Sequence, residues 1–251
     1  MDDLTVRQKE ILTYTVTSYI ETSLPVGSHA LTQRYPLGLS PASVRNELGL
    51  LEEKGYLAQP HTSAGRMPTD RGYQFYVKEF VQEEPVNKEF LELIVQEMEQ
   101  TIENLEDLME RVSSVLSAVA KEAVIVLSPT SAKRPRLCVE GSRYILNQPE
   151  FQDLKKFQQL IETLEDKPSL IELLKQRISR SGVQVAIGQQ ELLEGIWDCS
   201  LVSAPYTCQG QQIGILGVLG PRRMAYGRMM GLVHQVAEQM GVALNRWGPG
   251  D

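Results

Sequence analysis

Cysteine and histidine are scarce in this 251-residue sequence, which has three of each. The cysteines Cys138, Cys199 and Cys208 are far apart, and no two of them have C-x-x-C spacing. We therefore expect small buried apolar side chains, and neither a disulfide framework nor a zinc site. The histidines are scattered as well. The sequence predicts no metal site and no cofactor.

Long apolar runs are also missing. No run approaches the ~20 residues that a membrane-spanning helix needs. Residues 1–4 are acidic and lead directly into a helical pattern, whereas a secretory signal would need a basic start and an apolar stretch. We expect a cytoplasmic protein. Its 42% hydrophobic and 23% charged residues are typical of a soluble globular chain, and its length allows two domains.

Signatures of catalysis are equally rare. The sequence contains no glycine-rich phosphate loop, no H-E-x-x-H motif and no nucleophile elbow. The GVLG stretch at 217–220 is a weak glycine signal, because it lacks the context of a dinucleotide-binding fold. Aspartate and glutamate residues are numerous, but solvation of helix faces accounts for them. We therefore predict that the protein is not an enzyme.

An excess of positive charge, which would favour a nucleic-acid-binding protein, is absent too. The net charge is −7, and the first 80 residues carry eight basic against nine acidic side chains. A DNA-binding surface would therefore have to be a local patch, with the remaining acidic side chains pointing away from it.

The first 55 residues show the pattern of three helices. A capping-box pattern at Thr5 and Gln8 predicts the start of the first helix. A short second helix is expected at 29–35, followed by a turn. Ser40 then caps a third helix, in which proline occupies the first position at little cost. Gly55 ends that helix, as the residue just past a helix often does.

The following residues complete a small domain. Residues 56–58 predict a short strand, 59–68 a loop or hairpin tip, and 69–80 a further helix. Three helices, a strand and a glycine-bearing hairpin are the order of a winged helix-turn-helix. We therefore predict such a DNA-binding domain in residues 1–82.

The helix after Ser40 is the candidate reading element, because the second helix of a helix-turn-helix enters the major groove and reads bases from its N-terminal turns. Arginine can bind a guanine edge with two hydrogen bonds, and asparagine an adenine edge. The alternative is that Ser40 is only a cap and that the other polar residues form a solvated face. The predicted contact residues are Ser40, Ala42, Ser43, Arg45 and Asn46.

The 59–68 segment is the candidate wing. Its HTSAGR stretch, 61–66, has no acidic residue, several hydrogen-bond donors and one glycine, which suits an approach to phosphates. An ordinary surface turn would have a similar composition. The predicted contacts to the DNA backbone or minor groove are His61, Thr62, Ser63 and Arg66.

Residues 83–121 contain a linker and then a long heptad pattern. Its apolar residues alternate spacings of four and three, which is typical of a helix that pairs with another helix. We predict one long helix that forms a dimer contact. The alternative is a long helix packed on its own domain. The predicted contact residues are Leu91, Val95, Met98, Ile102, Leu105, Met109, Val112 and Leu116.

Residues 122–251 alternate between strand and helix patterns. Strands are predicted at 122–127 and 183–187, with a hairpin across Gln209 and Gly210. The spacing of apolar residues predicts helices at 149–164, 168–179 and 224–245. A hairpin surrounded by helices indicates an α+β domain, and the fold class predicted for the whole chain is α+β.

Seven stretches of the chain carry a resemblance to a known family. They are LTVRQKEIL at 4–12, PVGSHAL at 25–31, LSPASVRNELGLLEEKGYL at 39–57, HTSAGRMPTDRGYQFYV at 61–77, VEGSRYILNQPEF at 139–151, SLVSAPY at 200–206 and GILGVLGPRRMAYGR at 214–228. Together they resemble the HrcA family of heat-inducible transcription repressors. Motifs of this length, at both ends of the chain, are highly specific.

The resemblance implies a function and partners that composition does not show. Members of this family repress chaperone operons, including the groE and dnaK genes. They bind an inverted repeat, the CIRCE element, as homodimers. The GroE chaperonin keeps the repressor active until unfolded proteins compete for the chaperonin. The C-terminal domain is GAF-like, and no small ligand is established for it.

The chain departs from the family in its middle. Typical members carry a long stretch between the segments matching 122–128 and 137–151, with further strands and an inserted subdomain implicated in dimerisation. Here a short polar stretch joins these segments. We therefore expect a truncated GAF-like domain, and a larger share of the dimer contact on the heptad helix. A regulator gated by a small ligand, and an interaction protein that does not repress, remain alternatives.

Overall fold

The structure, a computed structural model, describes residues 4–62, 64–99, 105–128 and 135–247. The chain divides into two compact units, Met1–Val81 and Gln82–Asp251. Each unit contains helices and an antiparallel sheet, which agrees with the predicted α+β class.

The described residues of the first unit form four helices and a two-stranded antiparallel sheet. In the sheet, Leu57 pairs with Pro68 and Ala58 pairs with Met67. The elements are α1 (Val6–Thr22), α2 (Ser28–Arg34), α3 (Pro41–Glu53), β1 (Leu57–Ala58), β2 (Met67–Pro68) and α4 (Asp70–Phe80).

Local hydrogen bonds explain where these helices begin and end. The Thr5 hydroxyl accepts a hydrogen bond from the Gln8 amide at 3.2 Å, and the Gln8 side chain returns one to the Thr5 amide, which confirms the capping box. The Ser40 hydroxyl accepts from the Ser43 amide at 3.1 Å and so caps α3. Gly55, with φ of +77°, follows α3 in the left-handed conformation that glycine adopts most readily.

The core of the first unit lies between α1, α3 and α4, which pack on one another or on the small sheet. Each helix turns one apolar stripe inwards, at spacings of three and four residues. Full burial of such a side chain stabilises the fold by about 1.5–3 kcal/mol. The fully or nearly fully buried residues on α1 and α3 are Ile11, Leu12, Val16, Val44, Leu48 and Leu51.

In the described part of the second unit, five strands form one antiparallel sheet in the order β4-β3-β7-β6-β5. The strands are β3 (Ala123–Leu127), β4 (Leu137–Glu140), β5 (Gln184–Ile187), β6 (Cys199–Cys208) and β7 (Gln211–Pro221). The helices are α5 (Lys88–Glu99), α6 (Leu105–Ala120), α7 (Ser142–Leu146), α8 (Leu154–Glu165), α9 (Lys167–Ile178) and α10 (Tyr226–Trp247). The predicted hairpin is confirmed: Gln209 and Gly210, both with positive φ, join β6 to β7.

Helices cover both faces of this sheet. Alternate strand residues, such as Ile125 and Leu201, belong to one apolar cluster with residues of α8 and α9. The intervening residues, such as Val126 and Val202, are fully buried outside that cluster, where α6 and α10 pack on the strands. Burial on both faces explains why β3 has a continuous apolar sequence instead of an alternating one. Among the described residues, no helix is long and apolar enough to cross a membrane.

The heptad pattern led to a prediction of one long helix, and this prediction is wrong. The structure has two helices, α5 and α6, which pack on each other and on α10. The heptad repeat specifies a long apolar stripe, but a stripe can be covered by the chain's own helices as well as by a second subunit. Here the chain's own helices and sheet cover it.

This packing also corrects the predicted dimer contact. A side chain that is buried in its own subunit is not available to a second one in this conformation. Leu91, Val95 and Leu105 are half-buried, and Ile102 lies outside the described residues. The predicted contact residues that are at most 6% exposed are Met98, Met109, Val112 and Leu116.

One carboxyl group in the second unit has a buried oxygen atom without a hydrogen-bond partner among the described residues. Glu122, just before β3, is 8% exposed, and its Oε2 atom accepts no hydrogen bond from the described residues. Burial raises the pKa of the Glu122 carboxyl to about 8, while Arg223 lowers it and Glu150 raises it to smaller extents. The neutral form is therefore the one that fits the folded state.

We expect the free energy of unfolding to depend on the charge of Glu122. Ionisation in the unfolded chain begins near pH 4.5, so this carboxyl lowers stability progressively from pH 4.5 to about pH 8. Glu122→Gln, which stays neutral, should raise the melting temperature at pH 8, and the difference should vanish at pH values well below 4.5. The exposed Glu172→Gln variant is the control. Equal melting temperatures for Glu122→Gln and the parent protein at pH 8 would contradict a buried neutral carboxyl.

Candidate nucleic-acid interface

Helix α3 presents the predicted reading residues to solvent. Its apolar stripe, including Val44 and Leu48, faces the core, so residues on the opposite side of the helix point outwards. The five predicted contact residues are all exposed: Ser40, Ala42, Ser43, Arg45 and Asn46. The hydroxyls of Ser40 and Ser43 lie 3.0 Å apart at the beginning of the helix.

Two of the acidic side chains of α3 are held by partners towards its C-terminal end. The Glu47 carboxylate accepts a hydrogen bond from Gln8 Nε2 at 3.2 Å. Glu52 forms an ion pair with Arg66, with 2.8 Å between the nitrogen and the oxygen. Both contacts lie in the C-terminal two thirds of the helix. The N-terminal turns, which carry Arg45, therefore have the more positive character.

The 59–68 segment is attached to the body of the unit by backbone hydrogen bonds. Val26 and Arg66 exchange two of them, each 2.8 Å long. A Cβ atom on Gly65 would lie 2.4 Å from the Val26 carbonyl carbon. We expected this glycine to allow an approach to phosphates. The structure shows that it allows a close approach to the protein's own backbone.

The residues predicted for the candidate wing lie in different environments. His61 and Thr62 are exposed near the tip, and Ser63 lies outside the described residues. The Arg66 side chain is 18% exposed and is held by Glu52. Arg66 therefore attaches the segment to α3, and its contact with the DNA backbone stays a prediction.

A cleft of about 130 Å³ lies between α3 and the 59–68 segment. It brings Arg45 close to residues 64–66, which are distant from it in sequence. Arg45 has no ion-pair or hydrogen-bond partner among the described residues, so its guanidinium remains available to a ligand. The cleft is lined by Val26, Gly27, Ser28, Arg45, Leu48, Ala64, Gly65 and Arg66.

Gly49 lies on the same side of α3 as Arg45 and Asn46, and it is not among the predicted contact residues. A Cβ atom at Gly49 would meet no atom within 4 Å, so the fold does not require glycine there. Glycine inside a helix costs about 1 kcal/mol relative to alanine. Its position, four residues beyond Arg45 and three beyond Asn46, is the signal that could have revealed it.

Among the residues that the structure describes, no group of three or more histidine, cysteine, aspartate or glutamate side chains could hold a metal ion. The three cysteines are free thiols, and Cys199 is buried.

Comparison with known proteins identifies relatives over nearly the whole chain. A family model described as the HrcA protein C terminal domain matches residues 78–230. A heat-inducible transcription repressor HrcA from Pelotomaculum thermopropionicum is 29% identical, with 96% of this chain and 97% of that protein covered. The HrcA from Brevibacillus brevis is 26% identical, with 94% and 96% covered.

The chain is shorter than these relatives. Its alignment to the Pelotomaculum thermopropionicum protein spans 336 positions, which exceeds the 251 residues of the chain, so that protein has residues without a counterpart here. A crystal structure of a hypothetical protein has a similar fold, with a TM-score of 0.76, 18% identity and coverage of 98% of this chain and 99% of that one.

Proposed function

Because the chain belongs to the HrcA family, we propose that it is a heat-inducible transcription repressor whose first unit is a winged helix-turn-helix. In this proposal α3 is the recognition helix, and the 59–68 segment is the wing. The second unit is a truncated GAF-like regulatory domain. The protein binds the inverted-repeat CIRCE operator of chaperone genes as a homodimer, and the GroE chaperonin maintains its activity. It is a cytoplasmic protein and has no catalytic role.

The observation that carries the proposal is the surface of α3. Arg45 and Asn46, which have the hydrogen-bonding groups that read guanine and adenine edges, are exposed on its N-terminal turns. Two of the acidic side chains of the same helix are held by Gln8 and Arg66. A weakly acidic unit can therefore dock one local surface on DNA.

Binding of the full chain to a duplex that carries the inverted repeat tests the proposal. Affinity should fall by at least about a thousandfold when both half-sites are scrambled, at fixed salt. Scrambling one half-site should give an intermediate affinity, because each DNA-binding domain of the dimer contacts one half-site. Equal affinity for all three duplexes would overturn sequence-specific recognition.

The chaperonin part is tested separately. Purified GroE, added at a fixed repressor concentration, should increase the fraction of operator bound. An unfolded protein that competes for the chaperonin should reverse the increase. Unchanged binding in both cases would remove the chaperonin from the proposal and leave DNA recognition intact.

We expect Gly49→Ala to separate stability from DNA binding. The substitution should raise the free energy of unfolding by up to about 1 kcal/mol, because alanine favours the helix. It should also weaken operator binding, because the methyl group lies where α3 approaches the base edges. Thermal unfolding and operator titrations measure the two effects.

The exposed Ser114→Ala variant, on α6, is the matched control, because it improves helix propensity in the second unit. It should leave operator affinity unchanged. If Gly49→Ala gained stability without losing affinity, Gly49 would not lie at the interface.

A further inference from the structure

Strand β4 lies at the edge of the five-stranded sheet. It pairs with β3 on one side, and no other strand among the described residues pairs with its second side. An edge strand presents a row of backbone N–H and C=O groups that can pair with another strand.

The pairing with β3 determines the direction of each backbone group. The Ser128 amide donates a hydrogen bond to the Arg136 carbonyl at 2.8 Å, and the Arg136 amide donates one to the Ser128 hydroxyl at 2.6 Å, so the backbone groups of these two residues face each other. Such pairs alternate along an antiparallel ladder, so Val126 and Cys138 form the next one. The backbone groups of Cys138 therefore face β3. Those of Leu137 and Val139 face outwards.

The sequence of residues 136–140 is complementary to itself when two copies pair antiparallel. If a second copy pairs antiparallel with its Cys138 opposite Cys138, then Leu137 lies opposite Val139 of the second copy. Both of these residues have outward-facing backbone groups, as a hydrogen-bonded pair requires. Arg136 then lies opposite Glu140 of the second copy, and the two-fold axis repeats this contact. The register therefore contains two pairs of opposite charge and two apolar pairs.

Other registers fit less well. If Val139 lay opposite itself, Cys138 would face Glu140 of the second copy, and neither charge would meet its opposite. A register centred between Cys138 and Val139 would place an inward-facing residue opposite an outward-facing one, so the hydrogen bonds could not form. A one-residue shift also moves every side chain to the other face.

The charged residues are available for this contact. Arg136 and Glu140 are exposed, and both lie on the same face of β4 as Cys138. Arg136 also forms an ion pair with Glu106 of α6. A guanidinium has five N–H donors, so it can contact Glu106 and a second carboxylate together.

We propose that the β4 edge is an interface between two copies of this chain, in which two β4 strands pair antiparallel about Cys138 and join two sheets into one. The interface goes beyond the repressor function proposed above and does not depend on it. A pair of four-residue strands buries less than the roughly 1,200 Å² of a stable interface, so the dimer should be weak on its own. Two operator half-sites would strengthen it by bivalency.

Charge reversal tests the proposed register without DNA. Sedimentation velocity of the full chain from about 1 to 100 μM should show a monomer–dimer equilibrium. Arg136→Glu and Glu140→Arg should each weaken dimerisation by about tenfold or more, since each creates like charges directly opposite each other. The double variant should restore it. A monomer at all concentrations, or a dimer that neither single variant weakens, would overturn the proposal.

Two controls separate association from folding. Glu106→Gln removes the partner of Arg136 within the subunit and should leave dimerisation unchanged. The melting temperature and circular dichroism of every variant show whether the second unit remains folded. If a single variant proved unfolded, Arg136→Gln and Glu140→Gln would replace the charge reversals, with a smaller expected loss of dimer.

A thiol cross-link tests the two-fold axis directly. Diamide accepts two electrons and two protons from a pair of thiols, and it should join two chains through Cys138. The cross-linked dimer should form in the Cys208→Ser variant and be absent in the Cys138→Ser variant. A cross-link that survives Cys138→Ser, or none in Cys208→Ser, would overturn the arrangement. Because no DNA is present, this outcome is independent of operator recognition.

Discussion

Replacing Arg45 with alanine should weaken binding to the inverted repeat by about 5- to 150-fold, which corresponds to about 1–3 kcal/mol. The Arg45 side chain is exposed on the N-terminal turns of α3, and it has no partner among the described residues that the substitution would leave unpaired. Stability should therefore change little, and the loss should be confined to DNA binding. Fluorescence anisotropy with a labelled operator measures it.

The distinction between a base contact and a phosphate contact comes from a second duplex. A base-reading arginine should lose affinity for the operator and retain its affinity for scrambled DNA. Arg7→Ala is the matched control, because it removes the same charge from α1. Its neighbour Gln8 contacts the C-terminal part of α3, away from the reading turns. An equal loss on both duplexes would make Arg45 a phosphate contact.

Gly65→Ala should destabilise the first unit by about 1–3 kcal/mol and reduce operator binding further than stability alone explains. The new methyl carbon would lie within 2.7 Å of three backbone atoms of Val26, which cannot rotate away. The two hydrogen bonds between Val26 and Arg66 would have to break or move. The 59–68 segment would then lose its fixed position beside α3.

Hydrogen exchange can locate this effect. The amides of Val26 and Arg66 should exchange faster in Gly65→Ala, whereas amides in the core of α1 should retain their protection relative to the lowered global stability. Gly49→Ala serves as the control, because the same substitution in open space should stabilise the unit. If Gly65→Ala matched the parent protein in both stability and exchange, the close contact with Val26 would not be required.

Local signals allowed the helix boundaries of the first unit to be predicted. Capping depends on residues that lie three apart, such as Ser40 and Ser43, so a reader of the sequence sees both partners at once. The alternation of apolar residues likewise predicted the β6–β7 hairpin, with Gln209 and Gly210 at the turn. The exposed positions on α3 followed from the same helical spacing.

Contacts between distant residues were not predictable in this way. Arg66 has the composition expected of a DNA-backbone contact, but Glu52, fourteen positions earlier, holds it against α3. Gly65 was correctly singled out for close approach, yet the group that approaches is the Val26 backbone. The heptad pattern revealed an apolar stripe on 87–121 but not that α5 and α6 would cover it for each other.

The sequence by itself determined the family, the α+β class, the beginnings of the helices in the first unit and the residues that α3 exposes. These depend on composition, motifs and hydrogen bonds between close neighbours along the chain. Only the tertiary structure decided which charges are neutralised, which apolar stripe is already covered and which backbone groups of β4 face outwards. Those outcomes depend on the partner that packing brings to each residue, and a hydrophobic or charged side chain does not specify its partner in advance.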